Sequence, residues 1–190
     1  MTLVDQSAPM LAVSRQLNPD CEHLQGDMLT LRLGREFDAV LVHDAVDYVT
    51  SREDLRRVIA TAFAHCRPGG MAVFAPDHTA EAFRPGTGGG GGSDGRGRVA
   101  SFRERTTDPA PADDWILAEY EFTLRQADGS VRVVPEAHRL GAFGRDTWLA
   151  ELAAAGFEPA ALTGRLTGGV RLNRVMFTGR RPAAGRGSGQ

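Results

Sequence analysis

A chain of 190 residues, 42% hydrophobic and 24% charged, can bury one good core, and its length favours a single domain over two. The formal net charge is -2, and every one of the 22 basic residues is arginine, so there is no general basic field to attract nucleic acid. No apolar run approaches the roughly 20 residues that cross a bilayer, and Cys21 and Cys66 form no CxxC pair, which argues for two reduced, packed thiols and against a zinc site or disulfide scaffold.

In chain order, Thr2-Leu3-Val4 predicts a short strand ending at Asp5, and Pro9 opens a helix through Met10, Leu11, Val13 and Leu17 that stops at Asn18-Pro19-Asp20. Cys21 to Leu24 predicts a second strand delivering Gly26-Asp27-Met28. Phe37 to Val42 is continuously apolar apart from Asp38, as a buried parallel strand should be. Ser51 caps a helix with Glu53 and Asp54 in its first turn and Leu55, Val58, Ile59, Ala62 and Phe63 along one face. Arg67-Pro68-Gly69-Gly70 ends it and leads into a strand from Met71 to Ala75.

The stretch 84–98 contains five consecutive glycines and little to bury, so it is expected to be a flexible loop; Pro85 before it and Ser93-Asp94-Gly95 after it do not fit a phosphate cradle. Ile116 to Leu124 and Ser130 to Val134 alternate in polarity around Asp128-Gly129, which predicts an antiparallel hairpin over 115–138. A helix opening at Asp146 or Thr147 and closed by Gly156, then strands at Phe157–Leu162 and Arg174–Gly179, complete a domain spanning 1–180, with 181–190 expected to be a disordered tail.

Taken together, Val4-Asp5-Gln6-Ser7, Met10-Leu11, Gly26-Asp27-Met28, Phe37-Asp38-Ala39-Val40, Tyr48, Arg67-Pro68-Gly69-Gly70 and Ala155-Gly156-Phe157, in that order, resemble the class I S-adenosylmethionine-dependent methyltransferases from their second strand onward. The resemblance implies a three-layer, Rossmann-like α/β fold with an inserted antiparallel hairpin. It also implies methyl transfer from S-adenosylmethionine to an oxygen or nitrogen of a small molecule, with neither nucleic acid nor membrane as partner. A cytoplasmic location is the default, and a homodimer stays open. The family's first strand and glycine-rich turn would precede Thr2, so the resemblance implies an N-terminally incomplete fold with a weakened hold on the cofactor. The alternative is a degenerate, non-enzymatic relative or a truncated gene product.

Residue by residue, the resemblance puts Asp5 at the cofactor ribose, with Gln6 beside it, Asp27 and Met28 at the adenine, and Met10 on the other adenine face. His43 and Asp44 would lie along the methionine part. Tyr48 and His78 would face the substrate. His138 is the candidate general base, because an imidazole titrates near neutrality without tuning. No metal is expected. Asp5 also reads as a helix-capping aspartate, and the two roles can coexist.

Overall fold

The computed structural model describes residues 1–164 and 174–183. Strand β1 (Thr2–Asp5), helix α1 (Ala8–Leu17) and strand β2 (Glu22–Gln25) form a βαβ unit in which β1 and β2 pair in parallel. Ser7 Oγ accepts the Met10 amide at 3.3 Å and caps α1, whose Pro sits in the first turn, where no amide partner is lost.

Strand β3 (Phe37–His43) pairs in parallel with β4 (Cys66–Ala75), and the crossover between them is α2 (Arg52–His65), capped by Ser51 Oγ at 3.1 Å from the Asp54 amide. The predicted break at Arg67–Gly70 is a register shift within β4, with Gly69 at φ 79, so the strand starts five residues earlier than its apolar run. Helix α3 (Arg145–Ala154), strand β9 (Glu158–Leu162) and strand β10 (Met176–Arg180) follow later in the chain. β10 lies antiparallel between β4 and β9, giving the order β3-β4-β10-β9. Among the described residues β1–β2 is a separate two-stranded sheet, tied to the rest by Met28 and Leu29 on the main core and by the Leu33 amide donating to Nε2 of buried His65.

The main core lies where α2 and α3 cover this mixed sheet, and Trp148 stacks on Phe177 at 4.9 Å and packs on Phe74. Burying side chains of this size contributes about 1.5–3 kcal/mol each. Cys66 is fully buried there, and Cys21 is half-buried.

The glycine-rich stretch overturns its expectation as a flexible loop. Gly86–Ser93 is strand β5, paired along its whole length with β6 (Val99–Thr107). β7 (Trp115–Arg125) and β8 (Val131–Gly141) are the predicted hairpin, longer at its C-terminal end, so the insertion is a four-stranded antiparallel sheet β5-β6-β7-β8. Glycine lacks side chains to bury but keeps both backbone hydrogen-bonding groups, and pairing with β6 satisfies one edge of the strand. The backbones lie close: a Cβ on Gly89 would stand 2.7 Å from the Phe102 carbonyl oxygen. The tail expectation fails at Arg181, whose backbone pairs with Gly69 and Gly70 and whose guanidinium donates to Glu36 and to the Phe63 and Cys66 carbonyls. Residues 184–190 lie outside the described residues. Among the described residues no helix is long and apolar enough to cross a membrane.

Candidate active site

His43 and Ala75 are paired partners at the carboxyl ends of β3 and β4, so the turns after both strands leave from one edge, where open α/β sheets hold ligands. Asp44 comes next with φ 48 and ψ -49, a conformation that costs a non-glycine residue about 1–3 kcal/mol. Its surroundings fix it there. The Asp44 amide donates to Ala75 O at 3.3 Å, Arg174 donates to one carboxylate oxygen at 2.9 Å, and His43 Nδ1 lies 3.1 Å from the other. Arg174 also pairs with Asp77, so one guanidinium bridges the turns after β3 and β4.

A 3-10 turn, Ala45–Tyr48, then sends Asp47 inward, where it is 4% exposed, and Tyr48 outward. Both carboxylate oxygens of Asp47 accept the Asp77 amide, at 3.1 and 3.0 Å. Burial pushes the Asp47 carboxyl up to about 7; the Asp77 amide opposes the rise, and the Asp77 and Asp44 charges add to it. The turn carrying Asp77 and His78 is thus fastened to the turn carrying Tyr48 by a carboxyl group poised near neutrality.

The antiparallel sheet closes over this edge at one glycine. A Cβ on Gly141 would lie 2.0 Å from Val49 O, so only glycine lets β8 approach the 3-10 turn this closely. The approach sets Tyr48 edge-on to His138 at 5.7 Å, with Tyr120 edge-on to the same imidazole at 5.5 Å. His138 Nε2 is 3.1 Å from Glu136 Oε2, and the Tyr120 hydroxyl donates to Glu104 at 2.6 Å. Burial, then the Glu104 carboxylate, raises the Tyr120 phenol, so it stays protonated at any working pH. His78 packs edge-on to Phe83, and its burial lowers its pKa despite the neighbouring Asp77 and Glu104 charges, keeping it neutral at pH 7.

Of the residues singled out in the sequence, Tyr48 and His138 meet directly, and His43 meets Asp44. His78 lies on the same rim without a described contact to Tyr48 or His138. A second group forms at the carboxyl ends of β1 and β2, where the Gly26 amide donates to Asp5 O at 3.1 Å. Asp5 Oδ1 accepts the Ser7 amide at 2.7 Å, so Asp5 shapes the entry to α1 while Ser7 is the cap itself. Asp27 Oδ1 accepts the Leu29 amide at 2.8 Å, the Gln6 carbonyl accepts from Gln25, Met10 is 59% exposed, and Met28 is half-buried. No described contact joins this group to the His43–Asp44 pair.

These residues suit S-adenosylmethionine. Asp5 and Asp27 each keep one carboxylate oxygen without a described partner, at adjacent strand ends, where it can accept a further hydrogen bond. Met10 offers an exposed apolar side chain at the start of α1. Among the described residues no group of His, Cys, Asp and Glu is arranged to hold a metal ion. Asp47, Asp77, Glu104, Glu136 and Arg174 were not signalled in the sequence; only the spacing of Asp44 and Asp47 in a strand-end turn offered a hint.

A family profile described as a methyltransferase domain matches residues 1–70. The S-adenosylmethionine-bound structure of CalS10, an amino pentose methyltransferase from Micromonospora echinaspora involved in calicheamicin biosynthesis, superposes with a TM-score of 0.75 at 31% identity, covering 95% of this chain and 73% of that one. The chain belongs to the class I S-adenosylmethionine-dependent methyltransferases. Streptomyces venezuelae DesVI superposes on this methyltransferase with a TM-score of 0.79 at 29% identity, covering 96% of this chain and 74% of that one. The dTDP-3-amino-3,6-dideoxy-alpha-D-glucopyranose N,N-dimethyltransferase of Streptomyces fradiae is 27% identical over 177 residues, which is 93% of this chain and 66% of that protein. The chain thus spans about two thirds of the length of that curated relative.

Proposed function

We propose that this methyltransferase moves the methyl group of S-adenosylmethionine to the amino nitrogen of a nucleotide-linked amino sugar. The supporting observation is the cluster in which Tyr48 and Tyr120 flank His138, with Glu136 at 3.1 Å from its Nε2 and Glu104 on the Tyr120 hydroxyl. Carboxylates and ring faces attract an ammonium group, and the relative from Streptomyces fradiae carries an amino-sugar nucleotide in its name.

In this reading Asp5, Gln6, Met10, Asp27 and Met28 hold the nucleoside end of the cofactor, and His43 and Asp44 lie beside its methionine end. The bound cofactor supplies an electrophilic methyl group on a sulfonium. Tyr48, Tyr120 and Glu104 orient the amine so that its lone pair lies in line with that methyl; holding the reactants so supplies much of the acceleration. An ammonium has no lone pair, so its proton must leave first. His138, held by Glu136, accepts it. As the N–C bond forms and the S–C bond breaks, S-adenosylhomocysteine departs.

The test is the pH profile of kcat/KM for His138→Asn with an amino-sugar nucleotide. Loss of the base should lower the rate at pH 7 by about 10²–10⁴-fold, with recovery above the amine pKa, where free amine is already abundant. An equal deficit at pH 7 and pH 10 would remove the base role.

A further inference from the structure

Asp44 opens the 3-10 turn after β3, a position from which an aspartate ordinarily accepts one of the turn's free amides. Its side chain makes no such bond. One carboxylate oxygen instead lies 2.9 Å from Arg174 Nη1 and the other 3.1 Å from His43 Nδ1, while the backbone is held at φ 48. Among the described residues Asp44 is the one non-glycine at positive φ, and strain of this kind persists only where the surroundings enforce it.

The enforcing group comes from far along the chain. Arg174 stands just before β10, beside Val175, which packs on the main core. Its Nη1 also pairs with Asp77 Oδ1. Asp77 is itself anchored, because its amide donates to both oxygens of buried Asp47 at 3.1 and 3.0 Å. A continuous set of contacts thus runs from a buried carboxyl, through Asp77 and one guanidinium nitrogen, to the strained Asp44. Among the described residues no other arginine pairs with Asp44 or Asp77, so loss of Arg174 leaves two carboxylates repelling each other across the two turns. The Arg174, Asp44 and Asp77 side chains are 29%, 54% and 40% exposed, and ion pairs so open to water add little to stability. A contact that adds little to stability yet enforces strain at a ligand-holding strand end serves what Asp44 does there.

We infer that Arg174 is a positioning residue for the methionine end of S-adenosylmethionine. It acts through Asp44, keeping the turn after β3 in its binding conformation before the cofactor arrives, so that the ligand does not have to order the turn itself. The inference rests on the reading that His43 and Asp44 lie beside the methionine end, and it names the residue that holds them there.

The experiment is calorimetric titration of the full chain with S-adenosylhomocysteine and with 5′-methylthioadenosine, which lacks the amino-acid end. The proteins are the parent, Arg174→Gln, Arg174→Lys and Asp77→Asn. Arg174→Gln should bind S-adenosylhomocysteine about tenfold more weakly and 5′-methylthioadenosine as the parent does. Arg174→Lys should recover part of the loss, since a single nitrogen makes both contacts and an ammonium supplies one. Asp77→Asn keeps the amide bonds to Asp47 and should weaken S-adenosylhomocysteine binding in the same direction. Combined with Arg174→Gln it should add nothing further, because both changes break one set of contacts. Equal losses for the two ligands would mean general damage and overturn the inference, as would parent-like S-adenosylhomocysteine binding by Arg174→Gln. Methylation of an amino-sugar nucleotide would leave the proposed reaction standing in either case. No S-adenosylhomocysteine binding by the parent would overturn the inference together with the cofactor placement beneath it. The predicted losses, with methylation of no amine, would keep the role of Arg174 and sink the reaction.

Discussion

Substituting Asp47 by Asn should remove a pH dependence of stability that this one side chain creates. In the folded protein burial holds the Asp47 proton up to about pH 7, while in the unfolded chain it leaves near 3.8. Between those values the folded state carries one proton more than the unfolded state, so stability falls as pH rises, by about 1.4 kcal/mol per pH unit. Over the roughly three-unit window the loss is about 4 kcal/mol, equivalent to about 8–16 °C in midpoint for a chain of this size. The assay is a series of melting curves from pH 4 to 8 for both proteins. Asn keeps an acceptor for the Asp77 amide and has no proton to lose. The midpoint difference, variant minus parent, should therefore climb steadily from pH 4 to 7 and level off above. A difference independent of pH would refute the argument, because it would mean that Asp47 is charged in the fold throughout.

Asp5→Ala should weaken S-adenosylhomocysteine binding by about tenfold or more, and Asp5→Asn should recover part of it, measured by calorimetry; variants that bind like the parent would leave Asp5 only its contact with the Ser7 amide. Gly141→Ala must push β8 off Val49 O, so activity and thermal stability should fall together, and a melting curve and an amine-methylation assay on one preparation check both. On β5, Gly92 has nothing within 4 Å of its Cβ position, whereas a Cβ on Gly91 would stand 2.8 Å from Ala100 O. Gly92→Val should therefore stabilise the edge strand by about 0.5–1 kcal/mol and Gly91→Val should destabilise it, as read from denaturant midpoints.

Several elements were legible because their signals are local: the apolar run at Phe37–Val42 and the Ser51 cap with acids behind it in the parallel part, and the Asp128-Gly129 turn of the antiparallel hairpin, each act within a few residues. β5 was not, because composition reports what side chains can bury, and a glycine strand is held by its backbone and by a neighbour, β6, that composition says nothing about. The same division runs through the site. Tyr48 and His138 carry ordinary chemical labels and could be nominated from sequence, and the structure brings them together. Arg174 could not, since its partners Asp44 and Asp77 lie about a hundred or more positions away and only the antiparallel return of β10 beside β4 unites them. Asp47 stands in sequence among the polar residues of a strand-end turn, where ligands gather, but nothing local shows that it is buried and accepts the Asp77 amide from the turn after β4.

The glycines of β5 have a consequence for how this surface can change over time. A side chain added at the open positions of β5 projects over the sheet without meeting the β6 backbone, unlike one at Gly89 or Gly91. At Gly92 the space is empty, and at Gly88 the first obstacle is the movable carboxylate of Glu104, 3.1 Å away. Those positions are blank sites on β5, where one substitution can narrow, charge or roughen the rim while the strands beneath keep their register. A lineage carrying such a tract can try new acceptors by small steps at Gly92 and leave the His138 cluster and the β3–β4 ends untouched, whereas a step at Gly88 reaches that cluster through Glu104.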